Sequence, residues 1–348
     1  MEGADQVRVT VSADILGPTA ANLDKLLAMP TGCGEHNNFV AGIVVLDYLN
    51  SSRSLVDAVK SKALGVLESG YQRQLTYKHR DGSYSAFGNS DPRRSTWLTA
   101  FVVRSFIAAQ PHIYIDENVM SRALNFLAKQ QMGNGGFSEN GKVLSSGIQG
   151  GSSSTGVALS AYVAIAFIEA LRNLKMENVK RVDYSARIPK ALDFIVNKTS
   201  DSSIEDPYAL VLTTYALHVA NHPAKDEYFD RLEKSAENQG GLKYWTAPQV
   251  TNTSVQGDTE PLPHQMNKDT KPLEVEMTGY ALLTYLLRGQ AAHAVPLVRW
   301  LLKQRNANGG IISTQDTVVG LTALARYAQL TKSPVTDLVV SDPTLQFL

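Results

Sequence analysis

Cysteine is almost missing from this chain: among 348 residues there is one, Cys33. A single thiol closes no internal disulfide, so cysteine usage says nothing about the compartment. An excess of either charge is missing too. Lys plus Arg and Asp plus Glu both number 33, which leaves no basic field to attract nucleic acid or anionic lipid. Long apolar runs are absent as well, since the longest, such as Leu159 to Leu171, contain Ser160 and Glu169 and fall short of the roughly 20 residues that cross a bilayer. Nucleic acid and membrane insertion are therefore not expected. No succession of basic, apolar and small residues follows Met1, so a signal peptide is not read there.

What is present is a set of helices of two kinds. One kind is apolar nearly all round: Phe39 to Leu49, Trp97 to Ala109, Val157 to Leu171, Tyr208 to Ala220, Val275 to Leu287 and Thr317 to Tyr327. Proline is missing from all six spans, as unbroken helices require, and such all-round apolarity predicts burial on most sides. Between them lie segments with one apolar stripe, for example Val56, Val59, Ala63 and Val66, or Ile188, Leu192 and Ile195, the pattern of a half-wet helix. The first of these is expected around Leu23, Leu26 and Leu27. A buried helix after each amphipathic one reads as a repeated helical hairpin. Closing six hairpins into a ring covers every buried face, so the expected fold is an all-α toroid of about six inner and six outer helices.

Glycine-rich turns separate the hairpins at "DGSYSAFG" (81–88), "GNGGFSENG" (133–141), "NQGGLKYW" (238–245) and "NANGGIISTQD" (306–316). They are read as helix ends, where glycine supplies positive φ. The ends of the chain are different. "VRVTVSA" (7–13) and "VTDLVVS" (335–341) are Val-rich and strand-like, as if they belonged to a neighbouring β domain. The expected organisation is a strand in 1–15, the toroid in 16–331 and a return strand in 332–348. Residues 246–272 lack periodicity and read as a long loop.

Cys33 lies in "PTGCGEHNN" (30–38), at the start of the first buried helix. A thiol placed there meets unpaired N–H groups and the positive end of the helix dipole, which favour thiolate; a small buried hydrophobe is the alternative. The stretch resembles the thioester signature Pro-x-Gly-Cys-Gly-Glu-Gln-Asn-Met of the alpha-macroglobulins, complement components and insect thioester-containing proteins. Residues 60–88, 95–102 ("STWLTAFV"), 274–286 ("EVEMTGYALLTYL") and 309–328 are similar to alpha-macroglobulin segments in the same order, so the resemblance covers almost the whole chain and is closest to that branch. It implies an α/α toroid flanked by a CUB-like β domain, in a secreted protein of innate immunity or protease inhibition. It implies no enzyme activity and no cofactor. The implied partners are the neighbouring domains of its own polypeptide and a protease or microbial surface, with a receptor a further candidate.

In that family the cysteine sulfur is acylated by a glutamine side chain three positions on, and a nucleophile on the target then attacks the thioester. The motif positions here are Cys33, Gly34, Glu35 and His36. His36 stands where the glutamine belongs, and imidazole carries no acyl group, so no thioester is expected. Asn37 and Asn38 have carboxamides but shorter side chains and the wrong offset. In "KVLSSGIQGG" (142–151) Ser145 occupies the place where some members carry a histidine that directs acyl transfer to hydroxyls.

Three readings remain: a thioester-type domain acting by non-covalent contact, a toroidal enzyme using a Cys33–His36 pair, and a scaffold or receptor-binding domain. The enzyme would need an orienting group and an oxyanion hole that the sequence does not display. No further Cys or paired His completes a metal site with Cys33 and His36. His218 and His222 have the i, i+4 spacing that suits zinc but lack an intervening Glu, and are read as a surface pair at a helix end. Tyr48, Trp97, Tyr162, Tyr215 and Tyr280 are read as core rather than as the lining of a terpenoid cavity. Asn50, Asn197 and Asn252 sit in N-x-Ser/Thr triplets and are the candidate N-glycosylation sites.

Overall fold

The structure, a computed structural model, describes residues 35–51, 57–139, 141, 156–173, 184–200, 206–246, 272–305 and 314–331. Among these are eleven α-helices: α1 (Glu35–Ser51), α2 (Asp57–Thr76), α3 (Thr96–Ala109), α4 (Glu117–Lys129), α5 (Val157–Asn173), α6 (Tyr184–Thr199), α7 (Pro207–Val219), α8 (Lys225–Lys234), α9 (Pro272–Leu287), α10 (Val295–Lys303) and α11 (Thr314–Thr331). One antiparallel hairpin, β1 (Glu237–Gln239) and β2 (Leu242–Tyr244), lies between α8 and α9.

The odd-numbered helices are those apolar all round. Along α5 every residue from Val157 to Ile168 is buried, as is almost all of α7, so each must be covered on every side. Their mutual packing covers them: α1 lies on α3, α3 on α5, α5 on α7, α7 on α9, α9 on α11, and α11 returns to α1. The ring is closed, and the all-α toroid is the observed architecture. Outside it, α2 packs on α1, α4 on α3, α6 on α5 and α7, α8 on α7, and α10 on α9 and α11. These outer helices bury one stripe only, as in α4 with Val119, Met120, Ala123, Leu124 and Leu127. The segments around Leu23, Leu26 and Leu27, Val56, and the Val-rich stretches 7–13 and 335–341 lie outside the described residues.

All six inner helices run the same way. Early residues meet early ones, as when Trp97 stacks on Tyr162 at 5.8 Å and Tyr208 Oη donates to Glu276 Oε1 at 2.8 Å. Late residues meet late ones: Arg104 grips Glu169 through Nε (2.8 Å) and Nη2 (2.9 Å), and Gln329 Nε2 donates to the Asp47 carbonyl at 3.4 Å. The six helix starts therefore open on one end of the barrel, its mouth. Side-chain caps fix three starts among the described helices: Ser95 accepts from the Leu98 N–H, Asp116 from the Asn118 N–H and Asp206 from the Tyr208 N–H, each cap contributing about 1 kcal/mol. Several inner helices start ahead of their apolar runs, and two of them start at a proline, Pro207 and Pro272. Proline fits a helix's first turn because no N–H is needed there.

The glycine turns are more than helix ends. After α2 the Tyr84 N–H donates to Thr99 Oγ1 (3.0 Å), after α4 the Phe137 N–H donates to Ser160 Oγ (2.9 Å), and after β2 the Trp245 N–H donates to Thr278 Oγ1 (3.4 Å). In each case a buried aromatic following the glycines is bolted to a hydroxyl on the next inner helix. Gly82 (φ +91°) and Gly135 (φ +93°) also lie against the next outer helix, where an added Cβ would come within 2.4 Å of the Arg122 carbonyl carbon and 2.2 Å of the Lys190 oxygen. Backbone conformation and close approach both demand glycine there.

The candidate functional site at the mouth of the ring

The thioester-like stretch leads directly into α1, whose first two residues are Glu35 and His36. Cys33 and Gly34 immediately precede this helix in the chain and lie outside the described residues, as do Ser145 and Asn252. The start of a helix leaves N–H groups without intrahelical partners and presents the positive end of its dipole; α1 has such a start at Glu35 and His36. Below its first turn the floor is solid. Phe39 is buried, and its ring meets Phe106 edge-on at 5.9 Å, which in turn meets Tyr71 at 5.0 Å.

The chain bearing Ser145 leaves the described ring at Gly141 and returns at Gly156, at the same end as the α1 start. Its stem is anchored by Glu139. The carboxylate accepts from the Thr96 N–H (3.0 Å), the Trp97 N–H (2.9 Å), Ser95 Oγ (3.2 Å) and the Gly141 N–H (2.7 Å), while Thr96 Oγ1 donates to the Ser138 carbonyl at 2.7 Å. A negative group from one loop thus caps the start of α3, a favourable pairing with the helix dipole. Glu139 was not singled out in the sequence, because the helix start it caps lies more than forty residues away and no local pattern marks a cap supplied from another segment.

Beneath the mouth, Trp97, Glu139, Tyr162, Tyr208 and Leu212 enclose a cavity of about 20 Å³, room for about one water. Trp97, Tyr162 and Tyr280 are buried, Tyr48 is buried at the other end of α1, and Tyr215 packs on Tyr280 with centroids 5.2 Å apart. These five aromatics fill the ring. Deeper still the axis is polar: Arg104 holds Glu169, donates to Tyr280 Oη at 3.0 Å and lies 4.9 Å from the Tyr162 ring centroid. Burial pushes the Tyr215 hydroxyl up to about 12 and raises those of Tyr162, Tyr208 and Tyr280 further, so these phenols stay protonated and have no acid–base role near neutral pH.

His218 departs from the sequence reading. It is buried, not at the surface: its Nδ1–H donates to the Thr214 carbonyl (2.8 Å), and its Nε2 accepts from Arg288 (3.0 Å). Arg288 also pairs with Asp226 and covers the Phe229 ring. Both imidazole nitrogens are engaged, which removes His218 as a metal ligand. His222 instead accepts the Ala224 N–H at 3.2 Å. Asn50, near the end of α1, and Asn197, on α6, are exposed; two residues after Asn197 the Thr199 hydroxyl is buried, 2.6 Å from the Ile195 carbonyl and 2.6 Å from Tyr228 Oη. No described helix is long and apolar enough to cross a membrane.

Comparison with known proteins agrees with this geometry. Residues 9–327 match the family described as the A-macroglobulin TED domain. The chain is 38% identical to ovostatin of Gallus gallus over an alignment of 348 positions that covers 98% of this chain and 22% of that protein. The chain thus spans about a fifth of the length of this relative. A closed ring of six inner helices, a glycine-flanked cysteine leading into the first of them and a match along nearly the whole length place this chain in the A-macroglobulin TED domain family.

Proposed function

We propose that this chain is the thioester-type domain of a secreted alpha-macroglobulin-like protein that engages its target, a protease or a microbial surface, without covalent attachment. The observation that carries the reading is His36, the second residue of α1, in the Gly-Cys-Gly-Glu-His run. Thioester formation joins the cysteine sulfur to a carboxamide carbon and releases ammonia, and an imidazole has no carbonyl to contribute. Cys33 is then a free thiol beside a helix start, and the distinction that Ser145 would draw between amines and hydroxyls has no acyl group to act on. On this reading the domain acts by contact and is not an enzyme.

Around it, residues 16–331 constitute the toroid, and the Val-rich segments in 1–15 and 332–348 belong to a flanking CUB-like domain. The 22% share of ovostatin's length is consistent with further domains in the same polypeptide. Exposure of Asn50 and Asn197 suits glycosylation in a secreted protein. The test is to mix the full-length protein with an active protease and separate the products under denaturing conditions. The reading expects no conjugate that survives denaturation, and Cys33 titratable by a thiol reagent without prior amine treatment. A conjugate that resists denaturant, or a thiol that appears only after methylamine, would overturn it.

A further inference from the structure

On the outer rim of the mouth end, between the turn that precedes α3 and the last turn of α4, lies an open cleft of about 430 Å³ lined by Asp81, Pro92, Arg93, Arg94, Phe126, Lys129 and Gln130. Its charge is unbalanced in a protein whose overall net charge is zero: three cations face one carboxylate. That carboxylate is fully engaged, since Asp81 Oδ1 accepts from Ser83 Oγ (2.6 Å) and the Ser83 N–H (3.1 Å), while Oδ2 takes Arg94 Nε (2.9 Å). Arg94 is held in place by this pair and by the Pro92 carbonyl, which accepts from its Nη1 at 3.3 Å. Arg93 and Lys129 are exposed and make no ion pair among the described residues. The carbonyls at the end of α4, which would otherwise repel an anion, are occupied: Phe126 O by Gln130 Nε2, Leu127 O by the Gln130 N–H and Ala128 O by the Gln131 N–H.

We propose that this cleft binds the anionic group of an oligosaccharide, a sulfate or carboxylate carried on a sugar chain. Guanidinium groups recognise such groups by paired N–H donors, and lysine adds a point charge. The volume is that of a small-molecule site, typically about 300–1,000 Å³, far more than an inorganic ion fills. Exposed Pro92 gives an apolar edge beside the cations for the carbon face of a sugar ring, with buried Phe126 as the floor beneath it, and the cleft is open to solvent. A protein partner would ordinarily need about 800 Å² of contact, an area this local cluster does not supply.

The experiment is calorimetric titration of the protein with a sulfated heparin-type tetrasaccharide, its unsulfated counterpart, inorganic sulfate and an oligoglutamate peptide. Arg93→Ala/Lys129→Ala is compared with Lys234→Ala/Lys303→Ala, a charge-matched pair of exposed positions on α8 and α10. The proposal expects the sulfated tetrasaccharide to bind more tightly than any other probe, weakening as salt rises. It expects a loss of at least about tenfold in the cleft variant and no change in the control. No binding, equal losses in both variants, or tighter binding of the peptide or of sulfate alone would each overturn it.

Discussion

At Gly135 a φ of +93° coincides with a carbonyl, Lys190 O, that would lie 2.2 Å from an added Cβ. Gly135→Ala should therefore cost roughly 2–4 kcal/mol, combining a left-handed backbone with a steric clash. Gly133→Ala, where nothing lies within 4 Å of the added carbon, should leave stability within about 0.5 kcal/mol. Urea denaturation of the two variants separates the cases, and equal midpoints would contradict the account. His218 gives a second residue-level prediction. Burial, then the neighbouring Arg288, lowers its pKa, while the bond to Thr214 and the nearby Asp226 pull it upward less than burial lowers it; Lys225 adds to the lowering. The fold thus favours the neutral ring. The stabilisation is complete above the unfolded value of about 6.5 and is lost as pH falls through that value toward the lowered folded one. Melting temperature should fall between pH 7.5 and pH 5, and His218→Gln should flatten that dependence while lowering stability at pH 7.5. An unchanged pH dependence in the variant would remove His218 from the account.

Among the elements, the start of α3 depends on a carboxylate from another segment. Glu139→Ala removes four hydrogen bonds, two of them to the Thr96 and Trp97 amides, and should cost about 1–3 kcal/mol. Hydrogen exchange should accelerate at Thr96 and Trp97 and leave the start of α7, capped by its own Asp206, unaffected. Faster exchange at both starts would point to general loosening instead. The inner helices were legible in the sequence because they are apolar all round; their first turns were not, because residues such as Glu35, Pro207 and Pro272 are polar or cyclic and break the pattern. The hairpin of β1 and β2 was read only as a turn. Its three-residue strands are too short for alternation to register, although two adjacent glycines, with φ of +58° and +75°, are the signature of a two-residue hairpin loop. His218 was misplaced because Pro223 just beyond it suggests an exposed helix end, while Phe229 and Arg288, which cover it, come from α8 and the end of α9.

At the scale of the whole molecule, ring closure makes the first inner helix a neighbour of the last, so the start of α1 is supported by α11 as well as by α2 and α3. Sequence periodicity carried that closure, because six buried helices have no other way to cover one another. The chemistry proposed for the mouth rests on one short motif in which His36 stands at the family's glutamine position; the clamp by Glu139 and the polar axis at Arg104 were not legible, since both join residues 42 to 176 positions apart. The central claim is that this toroid of a thioester-domain family carries no thioester. Intact mass spectrometry of the native protein before and after methylamine tests it most directly. After enzymatic deglycosylation, the account predicts a mass equal to that of the unmodified chain, unchanged by methylamine; a mass lower by one ammonia, which gains one methylamine as a thiol is released, would contradict it.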